Sequence, residues 1–194
     1  MLDRATAAGL TEIRLHGRGG QGTVVASLML ARAAMLEGRS VQAFPEFGVE
    51  RRGAPVTAFL RVADSAIAVR CRVDRPDHLL VLDPAVLDGL EVPEGRGGVF
   101  VANTAAPPSA VRVPPGWRVA TLDATAIARA RRLGSGALPV VNSPMAAAFA
   151  RASGVVGLDA LLTAIRENVP ASHDENVAAA AEAWERVRGP EVRP

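Results

Sequence analysis

The sequence predicts an α/β fold: a single Rossmann-like, three-layer domain with a mostly parallel sheet and C-terminal helices. Short apolar segments alternate with longer helix-like segments, which is typical of strands joined by helical crossovers. A glycine-rich turn stands between the first such strand and the first helix. The 194 residues, 49% of them hydrophobic, suffice for one core. We expect this domain at 12–187, after an N-terminal lead-in at 1–11 and before a C-terminal tail at 188–194.

The first half of the chain gives clear local signals. Ile13 and Leu15 mark a strand, the helix at 23–37 ends at Gly38, and a second strand follows at 41–44. An alternating segment at 56–62 predicts a further strand, with 67–69 returning as its antiparallel partner. Further strands are expected at 79–82, 99–101 and 119–122, and helices at 124–133, 145–152, 158–168 and 175–187.

The composition excludes several classes of chemistry. All 22 basic residues are arginine, so no catalytic lysine exists, and the formal net charge is only +2. The single cysteine, Cys71, predicts a buried or inert thiol, and no metal centre held by this chain alone. The arginines at 129, 131 and 132 are interpreted as a solvated helix face, without nucleic acid binding. Neither a membrane span nor a secretory signal is recognised, so we expect a cytoplasmic protein.

The glycine-rich turn is the first candidate site. It consists of Gly17, Arg18, Gly19, Gly20, Gln21 and Gly22. Glycines let phosphate groups approach the backbone, and a helix start offers N–H groups and the positive end of a dipole. We therefore expect a phosphate here, although a tight turn with nothing bound is the alternative reading.

A plain NAD site fits the sequence poorly. A dinucleotide fold usually carries an acid at the end of the second strand, for the ribose hydroxyls. Here the strand ends at Phe44 without an acid, and Glu46 follows only after Pro45. The turn is thus expected to bind phosphates or a partner chain.

A second candidate site follows that strand. The segment 44–55 contains Glu50, Arg51, Arg52 and Gly53 and ends in Ala54 and Pro55. Arginine offers a planar fork for carboxylate or phosphate, and Glu50 could orient it. A surface ion pair on a turn is the alternative. Asp83, Asn103 and Asn142 also follow strands, so these groups should converge at the carboxyl edge of the sheet.

The motifs together resemble the gamma subunit, or gamma domain, of the pyruvate/2-oxoacid:ferredoxin oxidoreductases. The resemblance rests on the glycine turn at 17–22, on Phe47-Gly48-Val49-Glu50-Arg51-Arg52-Gly53, and on Val141-Asn142 opening a helix that reaches Phe149. The segment from Pro76-Asp77 to Asp83-Pro84 is also similar. The resemblance covers roughly 12–185.

The resemblance implies a subunit of an enzyme, without a catalytic centre of its own. Such complexes convert a 2-oxoacid such as pyruvate to an acyl-CoA and pass electrons to ferredoxin. Thiamine diphosphate, Mg²⁺ and [4Fe-4S] clusters belong to the alpha, beta and, where present, delta partners. The gamma part helps to hold coenzyme A. We hypothesise that the N–H groups of Gly19 to Gly22 cradle a phosphate or a loop of a partner subunit. Arg51 and Arg52 would supply charge-assisted hydrogen bonds, one to the ligand and one to Glu50, and Asn142 would fix the loop across the crevice.

Two other functions remain open from the sequence. The chain could be a stand-alone Rossmann-like nucleotide-binding module without redox chemistry; NADP is compatible, because Arg51 or Arg52 could meet its 2′-phosphate. It could also be a purely structural subunit whose glycine turn contacts only protein.

Overall fold

The computed structural model describes residues 9–46 and 54–192. Its seven strands are β1 (Thr11–Arg18), β2 (Ser40–Glu46), β3 (Pro55–Ala63), β4 (His78–Val81), β5 (Val99–Asn103), β6 (Arg118–Leu122) and β7 (Arg188–Val192). Its five α-helices are α1 (Thr23–Leu36), α2 (Ala124–Ala130), α3 (Asn142–Ser153), α4 (Leu158–Asn168) and α5 (His173–Arg186). Short 3₁₀ helices lie at Pro84–Gly89 and Pro108–Ala110. The predicted α/β class is confirmed.

All seven strands form one mixed sheet in the order β2-β3-β1-β4-β5-β6-β7. Strands β1, β4, β5 and β6 are mutually parallel, and β2 runs in the same direction. Strands β3 and β7 are antiparallel to their neighbours. The sheet is therefore mostly parallel, with β7 extending it into the segment predicted as the tail.

The expectation that 67–69 pairs with the third strand is wrong. Strand β3 instead lies between β1 and β2 and pairs with both, while 67–69 forms no strand. The apolar face of β3 packs beneath the helices, where its alternate residues Ala58, Leu60 and Val62 are buried. Strand β2 is left at the edge, where a proline such as Pro45 is tolerated, and it ends at Glu46 rather than at the predicted Phe44.

The five helices pack on one face of the sheet. Their buried residues form a single core with inward-facing residues of β1, β3, β4, β5 and β6. Helix α4 has the predicted bounds, whereas α3 begins three residues earlier than predicted. The Ser143 hydroxyl does not cap α3 but donates to Asn176 Oδ1 at 2.7 Å, which ties α3 to α5.

The other face of the sheet is covered by irregular chain between β4 and β6. Here Trp117 packs edge-on against Phe100 and donates its indole N–H to the carbonyl of Pro93 at 2.8 Å. This smaller core also contains Leu79, Val81 and Val119. The third layer is thus built from loops and 3₁₀ turns, which bury apolar side chains of the parallel strands.

Beside this smaller core, a fully buried arginine crosses the same face. Arg61 donates to Glu12 Oε1 at 2.8 Å, to Gln42 Oε1 at 2.8 Å and to the Cys71 carbonyl at 2.6 Å. It joins β3 to its neighbours β1 and β2, and to the segment after β3. Cys71 itself is exposed, so of the two predicted alternatives, a buried or an inert thiol, the first is wrong. Its carbonyl is the group that the fold uses.

We predict that Arg61→Met destabilises the protein by about 3–5 kcal/mol, because Glu12 would lose its buried cationic partner. Urea unfolding at neutral pH measures this change. Arg166→Met is the matched control: it removes an exposed ion pair, 2.9 Å from Asp174, and should cost at most about 1 kcal/mol. Equal losses in both variants would contradict the structural role of Arg61.

Candidate functional site

The glycine turn connects β1 to α1 at the carboxyl edge of the sheet. Two of its backbone N–H groups are used within the protein: Gly19 donates to the Ala54 carbonyl at 3.0 Å, and Gln21 donates to the Arg18 carbonyl at 3.2 Å. Within the described chain, the N–H groups of Gly20 and Gly22 have no such partner. Gly20 is also exposed. The turn is therefore held in place while part of its backbone faces outward.

The Gln21 side chain fastens the turn to the neighbouring strand. Its Oε1 accepts the Arg18 N–H at 2.9 Å, and its Nε2 donates to Asp83 Oδ2 at 2.7 Å. Asp83 follows β4, and its Oδ2 lies 3.6 Å from Arg18 Nε. Its Oδ1 accepts the Ala85 N–H at 2.9 Å. Gln21 and Arg18 thus offset the carboxylate charge, so Asp83 repels an anion at the turn less strongly.

Gly22 brings two helix N-termini together. Its φ of 83° lies in the left-handed region, and a Cβ at this position would lie 2.7 Å from Asn142 Nδ2. Gly22 caps α1, and Asn142 is the first residue of α3. Of the predicted site residues, the structure therefore brings Asn142 against the glycine turn. Two positive dipole ends meet at this contact.

Helix α1 supplies more open donors than α3. No side chain caps α1, its first turn carries no acid, and its first backbone bond runs from Ala26 to Gly22. At α3, Asn142 Oδ1 accepts the Ser143 N–H at 2.8 Å, and Pro144 has no N–H to offer. The start of α1 is consequently the better place for an anion.

Thr23 is a site residue that sequence reasoning missed. It is the first residue of α1, only 2% exposed, and its hydroxyl has no hydrogen-bond partner in the described structure. Any Cβ at Gly17 would overlap this hydroxyl. The first glycine of the motif thus makes room for Thr23, and the pattern of glycines could have indicated a close helix–strand contact.

Asn103, the last residue of β5, has a structural role. Its Nδ2 donates to the Leu82 carbonyl at 2.8 Å and to Thr125 Oγ1 at 3.0 Å. Its Oδ1 accepts the N–H groups of Ala124 at 3.0 Å and Thr125 at 3.3 Å. Because these bonds join β4, β5 and α2, the side chain is occupied in fixing the edge on which the site is built.

The predicted residues Glu50, Arg51, Arg52 and Gly53 lie outside the described residues. The chain leaves the described structure at Glu46 and re-enters it at Ala54. Ala54, the first described residue after this gap, accepts the Gly19 N–H and therefore lies beside the glycine turn.

The described residues lack both a membrane-spanning helix and a metal-binding cluster. None of the helices there has the length and apolar character needed to cross a membrane. The same part of the chain contains no group of three or more His, Cys, Asp and Glu side chains arranged to hold a metal ion.

Comparison with known proteins gives a consistent result. The sequence model of the family described as "Pyruvate ferredoxin/flavodoxin oxidoreductase" matches residues 12–186. The "Pyruvate/ketoisovalerate oxidoreductases common subunit gamma" of Thermococcus kodakarensis is 45% identical, over 89% of this chain and 94% of its own length. The "Pyruvate synthase subunit PorC" of Methanocaldococcus jannaschii is 42% identical, over 89% and 94%.

Solved structures agree with these relatives. The crystal structure of pyruvate oxidoreductase subunit PORC (EC 1.2.7.1) from Thermotoga maritima superposes with a TM-score of 0.73 at 35% identity, covering 94% of this chain and 99% of that one. The fold also recurs in 2-oxoglutarate:ferredoxin oxidoreductase from Magnetococcus marinus, with a TM-score of 0.65 and 17% identity. There it covers 92% of this chain and 30% of the other.

We predict that Gln21→Ala loosens the glycine turn. The Arg18 N–H would lose its acceptor, so its amide hydrogen exchange should accelerate about five- to tenfold, as expected for a hydrogen bond worth about 1 kcal/mol. Exchange measured by NMR, residue by residue, tests this. Asp83→Asn is the control: it keeps an acceptor for Gln21 Nε2 and should change the Arg18 amide less. Wild-type exchange at Arg18 in Gln21→Ala would show that the side chain does not hold the turn.

Proposed function

The chain belongs to the pyruvate ferredoxin/flavodoxin oxidoreductase family as a gamma subunit, and we propose that it binds part of coenzyme A at the glycine turn and helps to assemble the complex. The complex would carry out oxidative decarboxylation of a 2-oxoacid such as pyruvate to an acyl-CoA, with electrons passing to ferredoxin. The names of the relatives support a pyruvate-type substrate. A cytoplasmic location fits this role.

The observation that carries the proposal is the uncapped start of α1 beside Asn142. Coenzyme A is a polyphosphorylated ligand, and the open N–H groups of Gly20 and Gly22 and the dipole of a 14-residue helix suit a phosphate. The buried Thr23 hydroxyl adds a donor without a partner in the described structure. Arg51 and Arg52 enter the proposal as further phosphate ligands, with Glu50 orienting one of them.

The topology speaks against a dinucleotide in the usual Rossmann position. In that fold the second strand is the neighbour of the first, so its terminal acid reaches the ribose. Here β3 separates β2 from β1, which puts the end of β2 about 10 Å from β1, two strand spacings away. A stand-alone nucleotide-binding module is therefore the less favoured alternative.

The remaining chemistry is proposed to lie in partner subunits. Thiamine diphosphate with Mg²⁺ would be held by the alpha and beta chains, and [4Fe-4S] clusters by partners that include a delta chain where one is present. This chain has one cysteine, so it cannot supply the thiolate set of such a cluster. This chain would bind the ligand phosphate and make contacts that hold the complex together.

We predict that the tagged full-length chain, purified anaerobically from its native host, brings down two or three larger proteins together with thiamine diphosphate and iron. Mass spectrometry and cofactor assays of the eluate test assembly. An untagged lysate passed over the same resin is the control. Recovery of the lone 20.2 kDa chain, without iron, would overturn the assembly proposal and favour the nucleotide-binding module.

We predict that Gly22→Ala raises the KM for coenzyme A about tenfold in the purified complex, because an added Cβ displaces Asn142 and the donors beside it. The kcat at saturating coenzyme A and the KM for the 2-oxoacid should stay close to wild type, as expected when ground-state binding is lost. Arg51→Ala with Arg52→Ala should act in the same direction.

Gly38→Ala is the matched control for Gly22→Ala. Gly38 has a similar φ of 79°, but a Cβ there meets nothing within 4 Å, so this variant carries the backbone strain without the contact. Steady-state kinetics on complexes of equal thiamine and iron content separate binding from assembly. An unchanged KM for coenzyme A in Gly22→Ala and in the double arginine variant would contradict coenzyme A binding. Loss of partner subunits without a change in KM would make these segments an interface.

A further inference from the structure

One face of β1 carries a row of three basic side chains, and the proposed coenzyme A site does not use the first two of them. Arg14, His16 and Arg18 occupy alternate positions and therefore point to the same side of the sheet, opposite the helices. In each of them a buried nitrogen lacks a hydrogen-bond partner among the described residues: Arg14 Nε, His16 Nε2 and Arg18 Nε. Arg18 lies within ion-pair distance of Asp83. Among the described residues, no carboxylate lies within that distance of Arg14 or His16.

Arg14 and Arg61 are both buried, but they differ in the number of hydrogen-bond acceptors around the guanidinium group. Both are buried on the same face of adjacent strands, Arg14 being 7% exposed and Arg61 fully buried. Arg61 has a carboxylate, an amide oxygen and a carbonyl as acceptors. Arg14 has a single described acceptor, the Glu91 carbonyl, 2.9 Å from its Nη2. Burial and the charge of Arg72 lower the pKa of Arg14, and they outweigh the opposing effect of the carboxylates of Asp74, Glu46 and Glu91. An added anion close to the guanidinium would therefore favour its charged form.

His16 presents a second unused nitrogen beside Arg14. It is 9% exposed, and its Nδ1 lies 3.4 Å from Thr57 Oγ1. With Thr57 as the donor, the ring proton lies on Nε2, which is the nitrogen without a partner. Burial, together with the positive charges of Arg14 and Arg72, lowers the pKa of His16 to about 3. The ring is therefore neutral at physiological pH and lies in a positive local field.

Arg72 connects this buried pair to solvent. Its side chain is 59% exposed, and its Nη1 lies 3.1 Å from Glu46 Oε1 at the end of β2. Its charge also lowers the pKa of Arg14, so it lies close enough to act on both buried residues. Its Nε also lies 3.7 Å from Asp74 Oδ1, so an anion that displaces either carboxylate from Arg72 would meet Arg14 and His16 further inward.

We propose that Arg14 and His16 form the inner end of a second anion site, with Arg72 at its mouth, which binds the phosphate or carboxylate group of a small molecule. An oxyanion there supplies the acceptors that Arg14 Nε and His16 Nε2 lack, and it neutralises a buried charge. The site lies on the face of the sheet away from the helices, and it requires none of the contacts at the Gly22–Asn142 junction.

The experiment follows the ring signals of His16 by NMR in the full-length chain. The sequence contains three histidines, so His16→Gln assigns the signal. Inorganic phosphate and acetate are titrated separately at constant ionic strength, which distinguishes a phosphate from a carboxylate ligand. We expect a saturable shift of the His16 signals with at least one of them. Arg72→Gln should weaken that binding about tenfold, as for the loss of one charge-assisted contact.

The matched control is Arg186→Gln, because Arg186 is also 59% exposed and also paired with a glutamate, but lies on α5. It should leave the His16 titration unchanged. Arg14→Gln should abolish the shift, with circular dichroism verifying its fold. Three results would each overturn the proposal: no shift with either anion, a shift that sodium chloride reproduces, or equal titrations in wild type and Arg72→Gln. Buried water would then satisfy the nitrogens of Arg14 and His16. Phosphate bound only at the glycine turn would leave the His16 shift insensitive to Arg72.

Discussion

The contact between the Gly22 backbone and the Asn142 side chain is the constraint on which the edge of this molecule depends. A side chain at Gly22 would collide with Asn142, and its φ of 83° is costly for any residue except glycine. Given this contact, α1 and α3 begin side by side, and Thr23 fits beneath Gly17. The bonds of Gln21 to Arg18 and Asp83 then fix the rest of the turn. One close approach thus places two helix dipoles and several N–H donors at a single point.

The alternation of side chains along β1 gives the sheet two different faces. Ile13 and Leu15 enter the core beneath the helices, whereas Arg14 and His16 point to the opposite side. A central strand of a parallel sheet is usually apolar on both faces. On one of its faces β1 departs from that rule, next to the antiparallel strand β3. The polar face thus lies where the parallel βαβ pattern is interrupted.

The sequence predicts local structure better than strand pairing in this protein. Helix α4 has its predicted bounds because its apolar periodicity is undisturbed, and the meeting of Asn142 with the glycine turn follows from the rule on strand ends. The position of β3 was not predictable from alternation, which identifies a strand but not its neighbours. Thr23 was missed because a threonine at a helix start has an ordinary local role as a cap. Only the three-dimensional contact with Gly17 shows that its hydroxyl is buried.

The charged groups at the glycine turn decide what kind of chemistry the turn can support. Asp83 is the acid nearest to it among the described residues, and both of its oxygens accept hydrogen bonds while Arg18 lies close to one. The hydrogen-bonding capacity of this carboxylate is therefore used within the protein, in holding the turn. The chain also has no lysine. What remains at the turn is a set of fixed donors and dipoles, which can hold an anion without transferring a proton. This division suits a subunit that binds a ligand phosphate while the bond-breaking steps take place on a partner.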